Sequence, residues 1–333
     1  MNVLISGGTG FIGAPLSREL RGAGHNVIIT TRRPPFKKGG DTPLTPLDRG
    51  EKVPKHRDAG GFLTWHPPAL IPPDAISNID AVINLAGEPI APGRWTKRRK
   101  ELLMSSRVNV TQALVESMKQ KEEHTPLSPL VRGGGRVKVL ISASAIGYYG
   151  AHGDEFVTED APPASDYLAE VCKAWEAAAL KAQELGIRVV LIRIGAVLES
   201  AGGALPRIMM PFRFFLGGHM GSGRQGFSWI HRDDVVGIIK YALENASMSG
   251  PVNATAPHPV TNKEFCSALG KAINRPSWLH VPGFVLKLTL GELGSVLLTG
   301  QRVLPGKALK AGYKFKYTEI NEALRAIFGE NKV

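Results

Sequence analysis

The sequence predicts an α/β protein: a doubly wound parallel sheet covered by helices on both faces, with a smaller C-terminal lobe. Two observations carry this. Through the first two-thirds of the chain, short runs rich in Val and Ile alternate with stretches of helical composition. Apolar runs of that kind fit strands buried on both faces, and strand–helix alternation favours parallel pairing. After about residue 196 the rhythm changes to a Gly- and Met-rich apolar stretch, GGALPRIMMPFRFFLGGHMGSG, followed by shorter helical segments.

In chain order, residues 3–6 read as the first strand, residues 12–21 as a helix and residues 26–30 as the next strand. Residues 34–61 carry many Pro, Gly and charged residues and read as a long surface insertion. Residues 80–85, 137–142 and 188–194 read as further strands, and 97–121 and 166–185 as helices between them. Residues 123–136, with Pro126, Pro129 and three consecutive glycines from Gly133, read as a second loop. Later helices are expected over 234–245, 262–274, 283–298 and 318–328. The division expected is a dinucleotide-binding domain over 1–200, to which 229–255 also contributes, and a lobe over 201–333.

Composition narrows the function classes. The 333 residues are 43% hydrophobic, and no apolar run reaches the ~18 residues of a membrane span. Neither a membrane nor a nucleic acid is expected as partner. Structure begins at Asn2, which leaves no room for a leader, so an intracellular, cytoplasmic protein is expected. Cys172 and Cys266 lack metal-ligand spacing and read as free thiols, so no metal is expected. The net charge of +12 comes from 41 Lys+Arg against 29 Asp+Glu. The excess sits mostly in residues 32–57, 94–107 and 302–316, without the interleaved aromatics of a single-strand binding groove. An anionic small ligand fits it better, in a monomer or homodimer acting on an unknown small-molecule substrate.

The glycine cluster SGGTGFIG gives that ligand a class. It follows an apolar strand and opens a helix, the context in which glycines admit a pyrophosphate. Gly8, Gly10 and Gly13 fit G-x-G-x-x-G, while Gly7, Gly10 and Gly13 fit G-x-x-G-x-x-G. In either case the first glycine makes the turn and the middle one lets backbone approach phosphate. The last lets helix and strand pack closely. Thr9, Phe11 and Ile12 complete the loop. About 20 residues on, the second strand ends Thr30-Thr31-Arg32-Arg33 with no carboxylate. An arginine there matches a 2′-phosphate, which favours NADP over NAD. Farther on, Asn84-Leu85-Ala86-Gly87 ends a strand in small residues beside which a ribose can lie, and Arg107 could add a cation.

Together these residues resemble the extended short-chain dehydrogenase/reductases, the NAD-dependent epimerase/dehydratase superfamily with its Rossmann-type sheet. The matching motifs are SGGTGFIG, NLAG, Asn109-Val110-Thr111, ISASAIGYYG, RIGAVL and WIHRDDV. With AWEAAA, MMPFRFFLGG and GYKFKY they are similar to one branch, the epimerase family proteins of short-chain dehydrogenase/reductase family 39U. The resemblance implies an NADP-dependent oxidoreductase of unsettled substrate. It places cofactor contacts at Gly7–Gly13, Thr31, Arg32, Leu85, Ala86, Gly87, Arg107 and Val197. It places the catalytic serine at Ser144.

The superfamily's Tyr-x-x-x-Lys is missing. Four residues turn a helix by about 400°, which puts such a pair on one face. Tyr167 is followed four residues later by Val171, and Lys173 lies about 120° around the helix from it. Aligning on Trp175-Glu176 instead puts Leu168 and Cys172 in the dyad positions. Tyr148, Tyr149 or Tyr167 remains as proton donor. His231 with Asp233 reads as a helix cap or an acid–base pair, and Cys172 as a further nucleophile candidate. Alternative readings are a non-catalytic NADP(H)-binding redox regulator and a nucleotide-sugar epimerase.

Overall fold

The computed structural model describes residues 1–32, 61–90, 93–124 and 136–329. The insertion expected from residue 34, and most of the loop expected at 123–136, lie outside these residues, as does Arg33. In chain order the first half comprises β1 (Asn2–Ser6), α1 (Gly13–Gly22), β2 (Asn26–Thr31), β3 (Phe62–Thr64), β4 (Ala81–Asn84), α2 (Lys97–His124) and β5 (Val139–Ala145). Next come β6 (Phe156–Val157), α3 (Tyr167–Leu180), β7 (Arg188–Ile194), β8 (Ala196–Leu198), α4 (Leu205–Arg213), β9 (Gly217–Met220) and β10 (Gly226–Phe227). Then follow β11 (Trp229–His231), α5 (Arg232–Glu244), β12 (Gly250–Ala254), β13 (Val260–Thr261), α6 (Asn262–Ala272) and β14 (Ser277–Val281). The chain ends with α7 (Gly283–Leu290), α8 (Glu292–Thr299), β15 (Arg302–Val303), α9 (Gly306–Lys310) and α10 (Ile320–Phe328).

Seven strands form one parallel sheet in the order β12-β7-β5-β4-β1-β2-β3. This is the doubly wound α/β sheet expected. Alternation along each strand sends side chains to opposite faces. Val3, Ile5, Val27, Ile29, Ile83 and Ile141 pack with Leu16 and Leu20 of α1 and Ile238 and Ile239 of α5. Leu4, Ile28, Val82 and Leu140 go the other way, against Leu114 and Met118 of α2. The winding reverses between β1 and β4. From β1 the chain continues to β2 and β3 on one side and to β4, β5, β7 and β12 on the other. Ligands of such sheets bind at this reversal, beyond the carboxyl ends of the strands.

Beyond β7 the smaller elements gather around Leu205, Met209, Phe212, Trp229, Phe265 and Leu324. β9 pairs with β14 in parallel and β10 with β13 antiparallel. The chain then turns back to the large sheet: β15 pairs with β6, and Ala308 of α9 joins the sheet core. Buried Asp234 fixes this return, accepting from the Tyr313 hydroxyl and from the amides of Lys316 and Tyr317. The single helix expected at 283–298 is instead two. Gly291 at φ +63° breaks it, a conformation that glycine adopts freely.

Candidate functional site

The glycine turn lies at the winding reversal. Gly7 follows β1 at φ +78°, and a Cβ there would stand 2.8 Å from the Leu85 carbonyl beyond β4. The Gly13 position is closed to any side chain, because a Cβ would overlap the Gly7 carbonyl oxygen. Gly8 is buried against Ile29, whereas Thr9 and Gly10 are exposed. The Gly10 amide donates to the Gly7 carbonyl (3.0 Å), which closes the turn. No side chain caps α1, and its first turn holds no acidic residue. Ala14 N and Leu16 N are taken by the carbonyls of Gly10 and Ile12, and Pro15 has no N–H, so the amides left for an anion among the described residues are those of Phe11, Ile12 and Gly13. Phe11 turns from the loop onto the Gly202-Gly203 backbone, where either glycine with a Cβ would meet its ring. Ile12 packs on the sheet core.

Arg32 is exposed just after β2, next to half-buried Thr31 at the strand end. Across β1, the segment after β4 is built from its own backbone. Leu85 N donates to Ser6 O (2.8 Å), and Ala86 N donates to Asn84 Oδ1 (3.3 Å). Asn84 is held by Thr111, which donates in turn to Arg107 O. Arg107 is buried against Gly87, and its guanidinium donates to Glu88 O (2.8 Å) and Leu103 O (3.0 Å). Arg107 therefore ties the segment after β4 to α2. Val197, in β8, pairs in register with Ile230 and is half-buried on the sheet core.

Beyond β5 lies a buried polar network. The Ser144 hydroxyl donates to Glu176 Oε1 (2.6 Å). Arg193 grips Glu176 with two parallel bonds of 2.8 Å and donates to the Tyr149 hydroxyl (2.9 Å). Tyr149 in turn donates to Asn253 Oδ1 (2.7 Å). Burial would lower the Arg193 pKa, but the Glu176 bonds and charge outweigh it and hold the guanidinium above its ordinary value. Burial pushes the Tyr149 hydroxyl up to about 12. Cys172 lies beside Ser144, its thiol also pushed up to about 12 by burial first and by the Glu176 charge second. A thiol that stays protonated is a poor nucleophile.

The tyrosines divide clearly. Tyr148 is half-buried, with the Arg193 guanidinium 3.5 Å from its ring centre, and its hydroxyl bonds no described residue. Tyr167 opens α3, directly after the Asp166 cap. Its hydroxyl donates to Lys100 O (2.6 Å), and its ring packs edge-on against Trp95. Lys173 is exposed. His231 caps α5, its Nδ1 accepting from Asp233 N (3.1 Å), and its ring packs on Tyr317.

Glu176, Arg193 and Asn253 were not singled out from sequence. The signal was present in two of them. Arg193 interrupts the apolar strand VVLIRI, and Glu176 interrupts the helix face of AWEAAA. A charge inside a buried run requires a partner.

The sequence pattern of the NAD dependent epimerase/dehydratase family matches residues 3–254, from β1 to the end of β12. This chain belongs to that family. A second pattern, a domain of unknown function (DUF1731), matches residues 281–327. Among curated members of the family, the chain is 41% identical over 332 residues to an Arabidopsis thaliana protein, "Epimerase family protein SDR39U1 homolog, chloroplastic". That match covers 98% of this chain and 86% of the relative. It is 36% identical to the epimerase family protein YfhF of Bacillus subtilis, over 100% of this chain and 99% of the relative. In three dimensions it is similar to human epimerase family protein SDR39U1, crystallised with NADPH. The TM-score is 0.79 at 31% identity, covering 99% of this chain and 100% of the human one.

Proposed function

We propose that this chain is an NADP(H)-dependent oxidoreductase of the extended short-chain dehydrogenase/reductase type, acting on a small carbonyl or alcohol. The observation that carries the reading is the Gly7–Gly13 turn. Its Cβ-free backbone and uncapped helix start fit a pyrophosphate at the winding reversal. Arg32, exposed at the end of β2 where an NAD site would carry a carboxylate, suits the 2′-phosphate of NADP. The NADPH crystallised with the human relative supports the same cofactor.

When bound, NADPH supplies hydride, and reduction of a carbonyl then requires one proton from the protein. Of the three candidate tyrosines, Tyr148 is the one whose hydroxyl bonds no described residue, and Arg193 lies over its ring. Ser144 has committed its proton to Glu176, which leaves its oxygen as an acceptor. It is therefore placed to accept from a substrate hydroxyl. Arg107 acts as a positioning residue for the cofactor wall, and Tyr167 as a brace between α3 and α2. Fluorescence titration tests the cofactor reading. NADPH is expected to bind more tightly than NADH, with Arg32→Ala removing the preference. Failure of either cofactor to bind below the millimolar range, or preference for NADH, would overturn it. Tyr148→Phe is then expected to retain binding and lose turnover on a carbonyl panel.

A second reading, an NADP(H)-binding regulator without turnover, is favoured by one observation. Neither alignment supplies the dyad: Tyr167 is followed four residues later by Val171, and aligning on Trp175-Glu176 leaves Leu168 and a buried Cys172 whose thiol is pushed up to about 12 by burial. Consumption of NADPH that depends on Tyr148 would exclude it.

A further inference from the structure

We propose that the turn between α4 and β9, together with Trp278 of β14, docks this protein on an anionic lipid bilayer surface. Three consecutive apolar residues project there: Phe214, Phe215 and Leu216 are 71%, 56% and 49% exposed. Two positions earlier, Phe212 is fully buried, so the lobe buries a phenylalanine where its core has room for one. Phe215 also holds φ +62°, a left-handed conformation that a non-glycine residue adopts only at an energetic cost. That cost goes into turning an aromatic ring to the outside. Trp278 is 65% exposed and belongs to the same patch, because its indole donates to Phe215 O (2.9 Å). Arg275 lies over the Phe215 ring at 4.8 Å. Exposed apolar clusters of this kind mark protein or membrane contacts.

Charge decides between them. The segments 204–231 and 265–291, which carry the patch residues, contain Arg207, Arg213, Arg224, Lys271, Arg275 and Lys287 and no Asp or Glu, with Glu264 and Glu292 just outside them. A second copy would bring cations against cations across a two-fold axis, which disfavours self-association. Phe and Trp ringed by Arg and Lys match the headgroup level of a bilayer, where rings enter the interface and cations meet acidic lipid. The chain beyond β14 keeps this character, with Phe284 and Leu288 about 70% exposed one turn apart on α7. The sequence expectation of no membrane partner rested on the lack of a span. Among the described residues no helix is long and apolar enough to cross a membrane, and surface docking needs none.

Trp278 is its own reporter, since the other four tryptophans are at most 9% exposed. The test floats the full-length protein with phosphatidylcholine vesicles, with or without phosphatidylglycerol, while tryptophan emission is recorded. Flotation and a blue shift are expected only with the anionic vesicles, and both should fall steeply from 0.1 M to 1 M salt as the Debye length shrinks from about 10 Å to about 3 Å. Phe214→Ser, and separately Arg213→Glu with Arg275→Glu, should each weaken binding at least tenfold at an unchanged melting temperature. Three results would overturn the proposal. These are no flotation with anionic vesicles, equal flotation with neutral ones, and a concentration-dependent dimer that shifts Trp278 emission without lipid.

Discussion

Glu176 receives hydrogen bonds from both Ser144 and Arg193, and all three side chains are buried. Truncating one partner of such a pair leaves the other charge unpaired, so Glu176→Ala should cost about 3–5 kcal/mol in denaturant unfolding. Ser144→Ala, which removes one neutral donor, should cost far less. His231 carries a pH dependence. Burial, outweighing the nearby Asp233 and Asp234 charges, holds its pKa below the ordinary value. The unfolded chain thus binds the proton more readily, and stability is lost as pH falls below about 6.5 toward the depressed folded value. His231→Asn, which keeps a capping side chain but does not titrate, should flatten the melting temperature across that window. At this scale the sequence was partly legible. Glycines announce their own conformational needs, whereas the partners of Arg193 lie 17 and 44 positions away in the chain. No local pattern encodes such a pairing.

Among the elements, the α7–α8 hairpin shows how the basic segment 94–107 is spent. Arg94 donates to the carbonyls of Leu288 and Thr289, the last groups of α7, and Lys100 pairs with Glu292 at the start of α8. Orphan carbonyls at a helix end need such donors. The Lys100–Glu292 pair is half-exposed and worth about 0.2–1 kcal/mol, so Arg94 is the stronger tie. Arg94→Ala should speed amide hydrogen exchange selectively over residues 283–299 and leave the seven-stranded sheet unchanged. Five of the seven strands of that sheet were readable because β-branched runs buried on both faces leave few alternatives, whereas β12 (GPVNA), with Gly, Pro and Asn in five residues, was not. α4 was not, since Pro206 and Pro211 and the flanking glycines obscure its period. β3 was hidden by its length of three residues.

For the whole molecule, the winding reversal ties cofactor to stability. A ligand that binds only the folded state stabilises it by about 2.7 kcal/mol at 100 times its Kd. NADPH at such excess should raise the melting temperature by several degrees, and NADH at the same concentration should do less. Gly13→Ala, whose methyl would strike the Gly7 carbonyl, should abolish the NADPH response. The overall architecture followed from strand–helix alternation, but the return of Tyr313 and Lys316 to Asp234 did not. That return rests on long-range contacts that no periodicity announces.

The Phe11 ring has a consequence for timing. It sits in the glycine turn yet rests on Gly202 and Gly203, just ahead of α4. On the proposed function, a dinucleotide on the turn would lie near a side chain whose other neighbour is the Gly202-Gly203 backbone. Cofactor and substrate would then arrive in order, and a Phe11→Ala variant is expected to loosen that order in initial-rate kinetics with NADPH.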